Sequence, residues 1–202
     1  MKTLIICEGK HDSIFLKKIL NKMGLQDTEF RIFDQSGELP KIKNAESKEI
    51  SKFLESTSPY KFLVKSEGGN SPAVKIFCSN VSHCLESIDR VIFMIDLDGR
   101  SHSQKISELQ NIINTRMPRT LMLEVDHNKQ NDHFNYSFIK VNSQHTMQFL
   151  GNLHALFFKR SLEFSCEISR DDRRNTSIVE NKILNFIDNT QILNFVLPIF
   201  SE

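Results

Sequence analysis

The chain lacks several features that mark specialised classes of protein. Its 202 residues include no tryptophan, two tyrosines, seven glycines and five prolines, which excludes collagen-like and low-complexity chains. None of its cysteines forms a CxxC pair, so the usual structural zinc signature is missing, and a reducing compartment is favoured. These cysteines are Cys7, Cys78, Cys84 and Cys166. We therefore expect an ordinary globular protein of the cytoplasm.

An excess of one charge and long apolar runs are also missing. Lys and Arg total 26 against 25 Asp and Glu, so any affinity for nucleic acid has to come from a local surface. The opening apolar run, residues 3–7, stops at Glu8 and is too short for a signal peptide or a membrane span. Phenylalanine is abundant instead, with 16 residues that we expect to fill the core.

Short apolar runs alternate with segments of helical periodicity through the first two thirds of the chain. This alternation indicates an α/β fold with a doubly wound, mostly parallel sheet. The apolar runs are typical of strands buried on both faces. The predicted strands are residues 3–7, 30–33, 61–65, 90–95 and 120–125, and the predicted helices are about 12–23, 47–54, 71–85 and 103–114.

The pattern changes after residue 125. Residues 126–136 are polar, a strand is predicted at 137–141, and helices are predicted at 145–158 and 177–187. We predict an α/β domain over residues 1–125, with 29–58 as an insertion, and an α+β appendage over 126–202 packed on the same core. The polar stretch around Asp126 and His133 is interpreted as a surface loop rather than a second metal site.

Acidic side chains follow two of the predicted strands. Glu8 comes directly after the first, and Asp96 and Asp98 come after the run at 90–95. Ligands of open α/β sheets bind beyond the carboxyl ends of strands, and strand alternation puts Asp96 and Asp98 on one side with Leu97 turned away. Converging carboxylates raise one another's pKa, and a hard divalent cation relieves that repulsion. The competing interpretation is a set of loop acids facing solvent.

These residues also resemble a known family. Glu8-Gly9-Lys10-His11-Asp12 resembles the Glu-Gly-x-x-Asp motif of Toprim domains, and Asp96-Leu97-Asp98 resembles their Asp-x-Asp motif. Gly68-Gly69 falls where many Toprim sequences carry a glycine turn. The resemblance covers residues 3–125. It departs from the family in the long interval before Asp96, hence the predicted insertion, and in Gly99, which follows the second aspartate directly.

The resemblance implies a role for each motif residue. Glu8 would be the general acid/base of phosphoryl transfer or a metal ligand, and Asp96 and Asp98 would hold Mg²⁺, with Mn²⁺ as a substitute. Asp12 would orient this set or cap the helix. The structural turns would be at Gly9, Gly68 and Gly69.

Basic side chains lie close to the motif acids in the sequence. Lys10 and Arg100 each lie within two residues of a motif acid, so both are expected to contact substrate phosphate. His11 and His102 are interpreted as ordinary exposed histidines rather than proton-transfer groups.

Toprim domains occur in topoisomerases, bacterial-type primases, OLD-family nucleases, ribosomal-RNA maturases and RecR-like repair proteins. A length of 202 residues leaves no room for strand-passing domains, and no primase zinc module accompanies the acids. The resemblance therefore implies a Mg²⁺-dependent phosphoryl-transfer protein acting on DNA or RNA, with a nuclease favoured. The alternative is a non-catalytic nucleic-acid-binding or scaffolding module of the RecR-like kind. The oligomeric state stays open.

Overall fold

The computed structural model describes residues 1–34, 49–116 and 121–201, in which strands and helices alternate before a run of consecutive strands. The strands are β1 (Thr3–Cys7), β2 (Phe30–Asp34), β3 (Phe62–Ser66), β4 (Arg90–Asp96), β5 (Leu121–Gln130), β6 (Phe134–Ser143) and β7 (Phe149–Phe158). The helices are α1 (Lys10–Lys22), α2 (49–54), α3 (Asn70–Ser87), α4 (His102–Arg116), α5 (Leu162–Ser165), α6 (Thr176–Ile187) and α7 (Thr190–Ser201), with a 3₁₀ turn at Asp172–Arg174.

The strands form one seven-stranded mixed sheet in the order β2-β3-β1-β4-β7-β6-β5. The pairings from β2 to β7 are parallel, and β7-β6 and β6-β5 are antiparallel. Every residue of β1 is buried, as its apolar run predicts for a strand covered on both faces. Cys7 of β1 lies opposite Met94 of β4, so the loops that follow these two strands leave the sheet side by side, at the carboxyl ends of the strands.

Helices cover both faces of the sheet, which makes the α/β layering doubly wound. On the face covered by α2, α3 and α4, the Phe77 and Phe93 rings stack with centroids 4.2 Å apart. On the face covered by α1, α6 and α7, Phe15 meets Phe158 edge-on at 5.7 Å. Eleven of the 16 phenylalanines are buried, which confirms that phenylalanine fills the core.

The predicted elements before residue 116 are confirmed with small shifts in their ends. Helix α1 begins at Lys10, so Asp12 lies in its first turn rather than at the N-cap position. Of the predicted insertion at 29–58, residues 35–48 lie outside the described part of the chain, as does residue 120 of the predicted strand at 120–125.

The predictions after residue 125 need larger corrections. The helix predicted at 145–158 is wrong, because Phe149–Phe158 is strand β7, buried between β4 and β6. Its apolar residues follow no strict alternation, since most of the strand is covered on both faces. Residues 126–130, expected in a loop, continue the edge strand β5, whose outer part is exposed and polar, as edge strands tolerate.

The C-terminal third therefore adds to the central sheet itself. The division predicted at residue 125 falls inside β5, and β7 separates β5 and β6 from the parallel strands. Among the described residues no single helix is long and apolar enough to cross a membrane. The pair α6 and α7 meets that criterion only together, across a bend of 90°.

Gly151 of β7 offers a test of this strand placement. Its φ is +156°, and a Cβ added there would lie 3.2 Å from both the Cβ and the Cδ2 of Leu85 on α3. We expect Gly151→Ala to lower the free energy of unfolding by about 1–3 kcal/mol in urea titrations, because strain and crowding add. Gly9→Ala is the control, since its added Cβ meets nothing within 4 Å. Equal stability of the two variants would contradict the packing of β7 under α3.

Candidate functional site

The sheet order brings the two acidic loops together. Since β1 and β4 are adjacent and parallel, Glu8 and Asp96 leave the sheet side by side. The Glu8 Oε2 atom accepts a hydrogen bond from the backbone N–H of Asp96 at 3.4 Å. On the other side of β1, the backbone N–H of Gly69 donates to the Glu8 carbonyl oxygen at 2.6 Å. Three loops are thus joined at the end of β1.

The loop after β3 makes the tight turn predicted from its glycines. Gly68 has φ +73° and Gly69 has φ +145°, conformations that residues with a Cβ adopt only under strain. The same prediction for Gly9 is wrong, because its φ of −150° is extended backbone open to any residue. No described atom outside its chain neighbours would lie within 4 Å of a Cβ at Gly9, so the loop presents open space there.

Asp12 binds the backbone of the Glu8 loop from the first turn of α1, although the N-cap residue is Gly9. Its Oδ2 atom accepts hydrogen bonds from the backbone N–H groups of Glu8, at 3.1 Å, and Gly9, at 2.8 Å. The carboxylate therefore caps the first turn of α1 and also fixes the loop that carries Glu8. Burial raises the pKa of Asp12 to about 8, and the charges of Glu8 and Glu163 add to that rise while the two backbone bonds oppose it.

A cleft of about 290 Å³ opens at this edge of the sheet. Burial raises the pKa of Asp96 to about 9, and the nearby charges of Glu8, Asp12, Glu163 and Asp98 add to the rise. Burial likewise raises the pKa of Glu8. Carboxylates therefore crowd one poorly hydrated space and repel each other. The cleft is lined by Glu8, Gly9, Lys10, His11, Asp12, Gly68, Gly69, Asp96 and Glu163.

Glu163 is a cleft residue that the sequence gave no reason to select. It lies on the four-residue helix α5, and its Oε1 atom is 2.7 Å from Nδ1 of His11. That hydrogen bond lowers the pKa of Glu163 to about 2 against the opposing effect of burial. His11 is correspondingly a partly buried hydrogen-bond partner of Glu163 and not an ordinary exposed histidine. Glu163 lies 152 residues after His11 and no motif surrounds it, so the sequence contained no pattern that could have identified it as a cleft residue.

Asp98 lies beside the cleft without lining it. Strand β4 ends at Asp96, so the strand alternation used to predict its direction does not extend to Asp98, whose φ is +52°. Its Oδ2 atom accepts a hydrogen bond from Nδ2 of Asn70 at 2.7 Å. It lines a neighbouring cavity of about 390 Å³ between α3 and α4. Leu97 is buried, as predicted.

A buried lysine, Lys105, contacts Asn70, the residue that binds Asp98. Lys105 of α4 is fully buried, with Nζ 3.3 Å from Oδ1 of Asn70 and 3.5 Å from Glu108. Its charge lowers the pKa of Glu8, in opposition to the larger effect of burial. Arg100 is 3.0 Å from Glu108 and lines the neighbouring cavity, whereas Lys10 is exposed at the rim of the cleft. Lys105 was not selected from the sequence.

Other residues considered in the sequence lie away from the cleft. The Nε2 atom of His102 is 2.5 Å from Oγ of Ser137 on β6. Burial lowers the pKa of His102. Asp126 is on the exposed part of β5, where it forms ion pairs with Lys140 and His127. Neither group joins the acidic cleft.

The donor atoms of the site fit a hard divalent cation. Within residues 1–34, 49–116 and 121–201, no three His, Cys, Asp or Glu side chains are already arranged to hold a metal ion. The cleft nevertheless brings carboxylate oxygens together under mutual repulsion, and oxygen is the donor that Mg²⁺ prefers. The site therefore offers oxygen donors, but the described side chains are not arranged as a formed metal site.

Comparison with protein families, with curated proteins and with solved structures gave no match for this chain. The Toprim resemblance therefore remains a prediction from the motifs.

The raised pKa of Asp96 predicts how stability depends on pH. Its folded value of about 9 lies above the unfolded value of about 3.9, so the carboxyl destabilises the fold increasingly as pH rises between them. In metal-free buffer we expect Asp96→Asn to raise the free energy of unfolding at pH 8 by about 1–2 kcal/mol. The gain should be largely lost near pH 4, where Asp96 is protonated in the folded state and about half protonated in the unfolded state.

Urea titrations across this pH range measure the effect. Glu55→Gln, at an exposed acid next to α2, is the matched control and should change stability little at any pH. A gain for Asp96→Asn that stays constant from pH 4 to pH 8 would contradict the proposed crowding of charge.

Proposed function

We propose that this chain is a divalent-cation-dependent phosphoryl-transfer protein that acts on nucleic acid as a nuclease of Toprim type. The observation that supports the proposal is the convergence of Glu8, Asp12, Asp96 and Glu163 on one cleft, beyond the carboxyl ends of adjacent parallel strands. Ligands of open α/β sheets bind at this position. The order of the motifs along the chain and their placement at the ends of β1 and β4 are those expected for a Toprim domain.

Glu8 and Asp96 in the cleft, with Asp98 on the adjoining loop, would hold Mg²⁺ or Mn²⁺. When bound, such a cation would offset the carboxylate charges and the charge on a substrate phosphate. The raised pKa of Asp96 supports this assignment, because the group is held in a place that penalises its charge unless a cation is near. Asn70 supports the second aspartate by donating to it.

Glu8 is the residue best suited to move a proton. Its pKa is raised toward neutrality, where a general base is most effective, and Asp12 holds the backbone of its loop in place. Its carboxylate would accept the proton of an attacking water. Lys10, exposed at the rim, would contact the phosphate of the substrate, while Arg100 is partly neutralised by Glu108.

Helix ends add a second attraction for phosphate at this edge. Helix α1 of 13 residues and helix α3 of 18 residues both begin there, at Lys10 and Asn70, after the loops that line the cleft. The N-terminus of a helix carries unpaired N–H groups and partial positive charge, which favour an anion. A substrate phosphate placed next to the bound cation would also lie near the N-termini of α1 and α3.

The central test is cleavage of labelled single-stranded and duplex DNA and RNA in Mg²⁺ or Mn²⁺. We expect Glu8→Gln and Asp96→Asn each to lower the cleavage rate by about 10²–10⁴-fold, since one removes the proton acceptor and the other a cation ligand. Glu55→Gln should cleave at the rate of the wild type.

Two results would speak against the nuclease. Cleavage that survives both cleft substitutions would place the activity elsewhere. Binding of nucleic acid that persists in chelator, without turnover in either metal, would favour the non-catalytic, RecR-like alternative.

Cation binding can be measured without any activity. At a Mn²⁺ concentration about 100 times Kd, a cation that binds only the folded state stabilises it by about 2.7 kcal/mol, which raises Tm by about 5–10 °C. We expect this rise in the wild type and in Glu55→Gln, and its loss in Asp96→Asn and Asp98→Asn. An equal rise in all four proteins, measured by calorimetry, would show that the cation binds outside the cleft.

A further inference from the structure

Arginines are concentrated in one exposed stretch next to the acidic cleft. Residues 160–174, called here the arginine segment, contain four of the nine arginines of the chain, and all four are exposed. These are Arg160, Arg170, Arg173 and Arg174. The segment also contains α5, which places Glu163 in the cleft. The arginines thus lie in the same segment as one residue of the cleft wall, Glu163.

The arginine segment contains four acids as well as four arginines, and two of those acids have partners outside it. Glu163 is bound to His11 at 2.7 Å, and Asp172 is bound to Lys182 at 2.8 Å. Within the described ranges no carboxylate forms an ion pair with any of the four arginines. Arg173 is near enough to help lower the pKa of Glu163. A group of exposed arginines therefore borders the cleft, with the exposed acids Glu167 and Asp171 among them.

The same segment presents an exposed aromatic ring. Phe164 follows Glu163 on α5, and 59% of its surface is exposed. The Arg160 guanidinium lies over the ring, 4.2 Å from its centroid. A ring with an attached guanidinium is a surface on which an unpaired base stacks, and neighbouring arginines bind the phosphates that follow.

We infer that the arginine segment is the binding surface for single-stranded nucleic acid that enters the cleft, an inference that rests on the proposed function. A base stacks on Phe164 and Arg160, and the phosphates are held by Arg170, Arg173 and Arg174. A duplex cannot use Phe164 in this way, because its bases are already stacked on one another. The ring therefore selects single strands, and the arginines supply affinity that depends on salt.

The experiment measures binding in chelator, so that cleavage plays no part. Fluorescence anisotropy gives the Kd of the full chain for labelled dT and U oligonucleotides of about 15 nucleotides, and for a duplex of equal length. The variants are Phe164→Ala and the double substitution Arg173→Gln with Arg174→Gln. All these side chains are exposed, and urea titrations check that the variants keep their stability.

We expect Phe164→Ala to weaken binding of a single strand on the order of tenfold and to leave duplex binding unchanged. The double arginine variant should weaken binding on the order of tenfold and reduce the slope of log Kd against log salt by about 1.4, or 0.7 for each lost phosphate contact. The matched control is Arg31→Gln. Arg31 is also exposed and lies 5.6 Å over the ring of Phe33, at the amino end of the edge strand β2.

Wild-type affinity in both test variants would overturn the inference, and so would an equal loss in Arg31→Gln. Preference for duplex, with no effect of Phe164→Ala, would overturn it as well. These failures are separate from failure of the proposed function. If the wild type cleaves while the variants bind normally, only the inference falls. If the variants lose binding but the wild type never cleaves, the inference stands without the nuclease.

Discussion

Burial of carboxylates, reinforced by their mutual repulsion, is the constraint on which the site depends. The central strand β1 lies between β3 and β4, and the loops at the ends of all three meet around Glu8. Since Asp96 sits in that space, its pKa rises to about 9. A fold that gathers such groups is less stable than one that separates them, and functional sites are where proteins accept this cost. A cation or a proton relieves it.

The residues that surround the acids are arranged to hold this strained centre. Asp12 accepts two backbone N–H groups from the Glu8 loop, and Asn70 donates to Asp98. Lys105, buried behind Asn70, brings a positive charge under the same loops. None of these contacts removes the crowding of acids in the cleft. They fix where the carboxylates are, which is what binding a cation or a phosphate requires.

The C-terminal third contributes to the site through the sheet. Strand β7 pairs with β4, and the chain then turns back across the edge where the cleft lies, which brings α5 and Glu163 to His11. The exposed arginines and Phe164 belong to the same segment after β7. The segment after β7 therefore brings exposed arginines next to the acidic cleft, in a chain whose total charge is only +1.

The sequence by itself determined the strands and helices described within residues 1–34 and 49–116 and the placement of Glu8 and Asp96, because buried strands and their terminal acids leave local patterns. Only the tertiary structure decided that 149–158 is a strand, since its apolar residues fit either element until β4 and β6 cover both faces. It also decided that Asp98 turns to Asn70 and that Glu163 enters the cleft. Those two outcomes depend on contacts between distant segments, and local periodicity carries no information about such contacts.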